Sequence, residues 1–291
     1  MTETALVTGA TGYTGRHLLA RLVQTGANVT ALVRSTSDRS VIPERVQIVD
    51  GDLEDPASLA RALTGIQTVY HIAHVSLTPT LLQIMPETVR NVVIVSSLRA
   101  LSRVPSETVT AVLQGEAAVE KLRRTSAPAW TILRPSMIFG GGDDRNISRL
   151  VGRVRHGRWI PLAGPTRLHQ PVFVEDVVDV ILACPKTPAA AGKTYAISGA
   201  AALSWSELVH TVGEVVGVRP RTLPVPAALG ALVMSAVESV GIRPPIRAEQ
   251  LLRMLEDKIY DIEPARRELG FTPLNFRQAL FRIYGEVEEN Q

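Results

Sequence analysis

Residues 9–15, Gly9-Ala10-Thr11-Gly12-Tyr13-Thr14-Gly15, are of the type and spacing that hold a phosphate. Residues 4–8 before them read as a short apolar strand, and residues 16–24 after them as a helix with Leu18, Leu19, Leu22 and Val23 at helical spacing. Gly9 permits a tight turn, Gly12 lets backbone approach a diphosphate, and Gly15 lets helix and strand pack closely. The ligand's negative charge then meets the unpaired N–H groups and the positive dipole end of the new helix. Few other residues offer chemistry. His71 and His74 are three apart across a strand end, hence on opposite faces, and cannot both face one ligand. His71 reads as a core residue. His74 is the pocket candidate, able to act as acid or base near neutral pH. His169 stands before Gln170-Pro171 and a strand, facing either a cleft or a surface loop. No set of His, Cys, Asp or Glu has metal-ligand spacing.

The elements that must position these groups alternate. Strands are expected at 28–33, 46–49, 68–73, 91–95 and 130–133. A helix at 56–63 carries Asp55 as its cap and Pro56 in its first turn. Such alternation implies a parallel sheet covered on both faces, with ligands at the carboxyl ends of the strands. At the end of the second strand stand Val33 and Arg34, with no acid until Asp38. An acid there would bind a ribose 2′-hydroxyl; an arginine favours a 2′-phosphate, so NADP(H) is expected over NAD(H). The other reading of Arg34 is one more solvated surface charge.

Composition is that of an ordinary globular protein, 45% hydrophobic and 20% charged over 291 residues, with net charge +3. The basic residues are dispersed, which argues against a nucleic-acid partner. A single cysteine, Cys184, excludes an intramolecular disulfide and a cysteine-rich zinc site. The most apolar later stretch, 223–240, is broken by Pro224, Pro226 and Glu238, so no membrane span is expected and a cytoplasmic protein is.

The runs TGATGYTG, ALVR, GDL, VYHIA, VIVSS and WTILRPSMIFG, continued in PVFVEDV, KTYAI and EDK to LGF, span nearly the whole chain. They resemble the short-chain dehydrogenase/reductase superfamily, in its extended or atypical branch of epimerase-like proteins and relatives of a complex I accessory subunit. The resemblance implies a Rossmann-like, doubly wound α/β fold with a small, mainly helical C-terminal substrate lobe. It implies one NAD(P)-binding domain over 1–291, with the core lobe at 1–140 and sheet completion and substrate lobe at 141–291. By motif position, Gly9, Thr11, Gly12, Tyr13, Thr14 and Gly15 would hold the diphosphate and Arg34 the 2′-phosphate. Asp52 and Leu53 would meet the adenine, unless Asp52 is only an Asx-turn residue. Ala73 and His74 would lie under the ribose, Ser96 and Ser97 near the nicotinamide, and Pro135, Met137 and Ile138 over it.

The family's chemistry uses a tyrosine with a lysine four residues on, on one helical face, the lysine lowering the phenol's pKa. Here Gln114-Gly115-Glu116-Ala117 resembles the family's Lys-Gly-Glu-Ala, which sets Gln114 at the lysine and Thr110 at the tyrosine. No tyrosine in the chain has a lysine four residues on, and the family's serine position falls near Leu98. The candidates for the reacting end are therefore Ser97, Thr110 and His74. Residues 76–88 allow only a short helix between Pro79 and Pro86 where relatives have a long one. That implies a more open site, and a monomer or a non-standard dimer. In the C-terminal part, helices are expected at 147–154, 177–184 and 205–216, the last with a Ser204/Glu207 capping box, and through much of 224–276. Arg145, Arg149, Arg153, Arg158 and Arg167 form either an anion site or a solvated face. Three functions are consistent with these residues. They are an NADP(H) oxidoreductase on a small organic substrate with an unusual proton donor, a non-catalytic redox sensor or accessory protein, and a sugar-nucleotide epimerase or dehydratase.

Overall fold

A computed structural model describes residues 3–121, 128–225, 252–253 and 255–285. Its centre is a seven-stranded parallel sheet. In chain order the strands are β1 (Thr4–Thr8), β2 (Asn28–Val33), β3 (Gln47–Asp50), β4 (Thr68–His71), β5 (Asn91–Val95) and β6 (Ala129–Pro135). The seventh, Lys193–Ile197, joins far later in the sequence and pairs with β6. Spatial order runs β3-β2-β1-β4-β5-β6 and then Lys193–Ile197, so the order reverses between β1 and β4. In open parallel sheets that reversal opens a crevice at the carboxyl ends of the two strands.

Alternation along the strands sorts the core onto two faces. Ala5 and Val7 of β1 pack with α1 (Tyr13–Gln24) through Leu18, Leu19 and Leu22. Leu6 faces the other way, into a cluster that includes Leu59 of α2 (Pro56–Ala62), Leu81 of α3 (Thr78–Gln83) and Val112 of α4 (Glu107–Glu120). A third cluster joins Phe139 to α5 (Ile147–Arg155), α6 (Val174–Ala183) and α7 (Trp205–Val215), and to the last of the described helices, α8 (Glu263–Leu269) being outside it and α9 (Phe276–Tyr284) inside. It lies in the helical C-terminal region.

Local signals account for most boundaries. Asp55 accepts from the N–H groups of Ala57 and Ser58 to cap α2. Ser204 and Glu207 form the expected capping box on α7, and Gly270 ends α8 in the left-handed region. The helix between Pro79 and Pro86 is short, as expected. Several boundaries differ, among them the start of α6 at Val174 where 177 was expected. α1 begins at Tyr13, three residues before the expected start, so its first turn lies inside the glycine motif. Strand β4 stops at His71 where residues 72–73 were expected to continue it, and β6 runs on to Pro135. The helix that carries Thr110 and Gln114 is α4, residues 107–120, while 122–127 lie outside the described residues, as does 226–251 of the stretch expected to be helical.

Candidate functional site

The glycine turn closes at the carboxyl end of β1, where Gly12 N–H donates to the Gly9 carbonyl at 3.0 Å. Each glycine is needed for a different reason. Gly9 sits at φ 69°, and a Cβ there would come within 2.5 Å of the Ala73 nitrogen just past β4. A Cβ on Gly15 would come within 2.2 Å of the Gly9 carbonyl oxygen. Gly12 is different: it is exposed, in extended conformation, and a Cβ would meet only Gly9 O at 3.1 Å. It caps α1 without a side-chain hydrogen bond. The first-turn N–H groups of Tyr13, Thr14 and Gly15, which no helix can satisfy internally, therefore open onto a surface free of side chain at position 12. That is the geometry a diphosphate requires.

The helix behind this turn is fastened to the second half of the chain. Arg16 pairs with Asp143 at 2.5 Å, and the Tyr13 hydroxyl donates to the Gly141 carbonyl at 3.4 Å. Burial, then Asp144 and Asp143, raise the Tyr13 pKa, so its hydroxyl stays protonated. One turn on, His17 and Arg21 meet Glu175 of α6, and Arg21 also holds Asp179 at 2.5 Å.

Arg34 is exposed directly after β2, and its guanidinium has no ion pair among the described residues. The acid nearest in register is Asp50 of β3, which partners Val33, and it is ion-paired with Arg39. Asp38 turns onto Ser40. Asp52 does form an Asx turn, its Oδ1 accepting from Glu54 N–H at 3.0 Å, which leaves its second oxygen. Leu53 is buried in the cluster with Leu32 and Leu59.

At the neighbouring strand ends a buried network takes over. Thr8 Oγ1 lies 2.8 Å from His71 Nδ1, and His71 Nε2 lies 3.4 Å from the His74 carbonyl. A carbonyl only accepts, so Nε2 carries the proton and Nδ1 accepts from Thr8. Burial lowers the His71 pKa to about 4 and keeps the ring neutral. It thereby ties β1, β4 and the loop holding His74 together, the core role expected of it. His74 itself is exposed, its Nδ1 beside Ser76 Oγ at 2.8 Å.

Burial also lowers His169 to about 4. Both imidazoles have folded pKa values below the unfolded ~6.5, so their contribution is complete above pH 6.5 and is lost as pH falls from there through 4. For His71 that is on the order of 3 kcal/mol. The Tm is expected to fall across this window, more shallowly in His71→Gln; a Tm flat from pH 7 to 4.5 would remove the assignment.

On the far side of the crevice, Ser96 is buried and gives its hydroxyl to Glu116 Oε1 at 2.5 Å. Glu116, only 3% exposed, is held in a two-pronged pair by Arg134, Nε to Oε1 at 2.9 Å and Nη2 to Oε2 at 2.6 Å. Sequence reasoning missed this pair. Ser97 is half-buried, its Oγ accepting from Arg99 N–H at 3.2 Å. Thr110, a candidate for the reacting end, is exposed on α4 together with Gln114. The helix turns Val109, Val112, Gly115 and Glu116 inward instead, because a Cβ on Gly115 would come within 2.2 Å of the Val75 carbonyl. Pro135 is buried, and Met137 and Ile138 are half-buried where residues 138–139 pair with 172–173. A cavity of about 250 Å³ lined by Asn91, Ala129 and Cys184 lies at the amino ends of β5 and β6, the opposite edge of the sheet. The arginines 145, 149, 153, 158 and 167 are all exposed; Arg167 pairs with Asp257 and Arg153 holds the Trp159 carbonyl. Among the described residues no group of three or more His, Cys, Asp or Glu can hold a metal, and no helix is long and apolar enough to cross a membrane.

Residues 9–163 match the model of a family described as NAD(P)H-binding. The chain is 30% identical over 227 residues to NADH dehydrogenase [ubiquinone] 1 alpha subcomplex subunit 9, mitochondrial, of Dictyostelium discoideum, covering 72% of this chain and 62% of that one. It is 29% identical to the ceramide reductase of Caulobacter vibrioides, covering 78% and 76%. The crystal structure of gox2253 superposes with a TM-score of 0.80 at 23% identity, covering 98% and 97%. Family match, strand order and glycine turn agree: the chain belongs to the NAD(P)H-binding family, on the extended, epimerase-like short-chain dehydrogenase/reductase fold.

Proposed function

We propose that this protein is an NADP(H)-dependent oxidoreductase acting on a small organic substrate without the tyrosine–lysine pair. The observation that carries the cofactor choice is Arg34, which has no ion pair among the described residues at the end of β2 while the neighbouring Asp50 is paired with Arg39. A 2′-phosphate placed there meets a cation and no free acid. Thr11 to Gly15 would hold the diphosphate, with Asp52 and Leu53 at the adenine and Ala73 and His74 at the ribose. Ser96, Ser97, Pro135, Met137 and Ile138 would surround the nicotinamide. The bound cofactor supplies hydride transfer. The chain positions the partners, excludes water and handles one proton, for which the hydroxyl of Ser97 and the ring of His74 are the candidates just past the strand ends. The similarity to a ceramide reductase supports reduction as the direction of the chemistry.

In a fluorescence titration NADPH is expected to bind more tightly than NADH. Arg34→Ala should cost NADPH about 10- to 100-fold, the worth of charge-assisted hydrogen bonds, and leave NADH unchanged. Equal affinities in the wild type would sink the assignment. A second reading, a non-catalytic NADP(H)-binding sensor or accessory protein, is favoured by the 30% identity to a subunit of NADH dehydrogenase. Tight NADPH binding with no oxidation by a panel of ketones and aldehydes would select it.

A further inference from the structure

The roof over the carboxyl ends of β5 and β6 carries an amine with no ion pair among the described residues. Residues 256–260 form part of that roof. Glu256 accepts from Ser102 Oγ and from Arg103 N–H, both at 2.7 Å, which fixes the segment to the loop that follows Ser97. Lys258 N–H donates to the Leu168 carbonyl at 2.8 Å, and Tyr260 N–H to Gln170 Oε1 at 2.9 Å. Gln170 in turn accepts, on its carbonyl, the hydroxyl of Ser136 that follows β6. The segment thus bridges the ends of both strands.

Lys258 is half-buried in this bridge, and its ammonium has no ion pair or hydrogen bond among the described residues. The charged and titratable groups around it are Arg99 from the loop after β5, Arg253, His169, and the acids Glu256 and Asp257. Both acids are occupied. Glu256 serves Ser102 and Arg103, while Asp257 accepts from Leu168 N–H at 3.0 Å and faces Arg167 at 3.4 Å. Lys258 therefore lies beside two arginines, Arg99 and Arg253, while the two acids of its own segment already serve other groups.

We propose that Lys258, flanked by His169 and Arg99, is the receptor for an anionic group of the substrate, a carboxylate or a phosphate. Its place beside the reacting carbon rests on the oxidoreductase reading; its ligand chemistry does not. Burial, with Arg253 beside it, lowers the amine to about 8, and an anion reverses that by favouring the charged form. His169, kept neutral, retains a ring N–H for the same guest. The cluster lies over the carboxyl ends of β5 and β6, the side of an open parallel sheet where ligands bind, and its amine is displaced by burial and like charge.

The chain has four lysines, Lys121, Lys186, Lys193 and Lys258, which makes the test direct. With the amines ¹³C-methylated and assigned by single Lys→Arg variants, NMR reads each titration separately. The protein is saturated with NADP⁺, monitored on its own by displacement of NADPH fluorescence, so that the glycine cradle is filled. Lys258 is expected to titrate well below the other three. Inorganic phosphate or acetate should raise its midpoint and move its signal, while Lys193, already paired with Glu268, stays put. A response to phosphate alone assigns a phosphate ester; a response to acetate as well assigns a carboxylate. An ordinary Lys258 midpoint, or signals of all four lysines moving equally as they do with sodium chloride, overturns the proposal. Failure of NADP⁺ to bind would instead count against the cofactor reading, because the lysine titration can be repeated without it.

Discussion

Gly12→Val is expected to abolish NADPH binding while leaving the fold standing. Gly12 has negative φ and an exposed position, and its only near neighbour for a Cβ is Gly9 O at 3.1 Å. Valine at a helix N-cap costs about 1 kcal/mol relative to better caps. On the ligand side, however, a branched side chain would stand where diphosphate oxygens must reach the N–H groups of Tyr13 to Gly15. A loss of about 100-fold or more, roughly 3 kcal/mol, should appear in a fluorescence titration against a nearly unchanged Tm. Gly15→Ala is the contrast. Its Cβ would lie 2.2 Å from Gly9 O, so it should lose both binding and folded protein. A Gly12→Val protein that binds NADPH within threefold of wild type would show that the cradle is elsewhere.

Glu116→Ala should destabilise the fold strongly. Removing one member of a buried ion pair leaves the other charge desolvated and alone, at a cost of about 3–5 kcal/mol. Here Arg134 would lose both prongs and Ser96 its acceptor. For a chain of this size the Tm should drop by about 10 °C. Glu116→Gln, which keeps hydrogen-bonding atoms and loses the charge, should fall between. NADPH affinity should weaken in both, because the pair holds Ser96 and the Arg134-Pro135 step at fixed separation at the strand ends where the nicotinamide is proposed to lie. A Glu116→Ala Tm within 2 °C of wild type would mean that the pair is not structural.

The sheet and the glycine turn were legible in the sequence because their signals are local. Strand alternation, a cap such as Asp55 before Pro56, and three glycines at fixed spacing each declare themselves within about ten residues. The reacting end was not legible. Aligning Gln114-Gly115-Glu116 by its likeness to a family motif set Gln114 at the lysine and Thr110 at the tyrosine, and both are exposed on α4. Helical spacing held the better signal: Val109, Val112, Glu116 and Val119 recur at three and four, and all are buried. That pattern would have marked Glu116 as an inward acid in need of a partner. Nothing local marks Arg134 as that partner, and nothing in residues 256–260 announces that they will roof a strand end about 160 residues earlier in the chain. Long-range convergence of this kind is a property of topology, not of spacing.

The fastening of α1 has a consequence for how the protein is made. Arg16, His17 and Arg21 find their acids at Asp143, Glu175 and Asp179, between 127 and 158 residues later in the chain. During vectorial synthesis on the ribosome, the first strand–turn–helix emerges long before these partners exist. The phosphate cradle is therefore among the first parts translated and among the last to be buttressed, since domains settle as their contacts become available. A nascent chain released at residue 140 would carry every glycine of the turn and none of the acids that steady the helix behind it. Cofactor capture should accordingly lag synthesis of the motif and coincide with emergence of α6, a delay that arrest of translation at successive lengths would time.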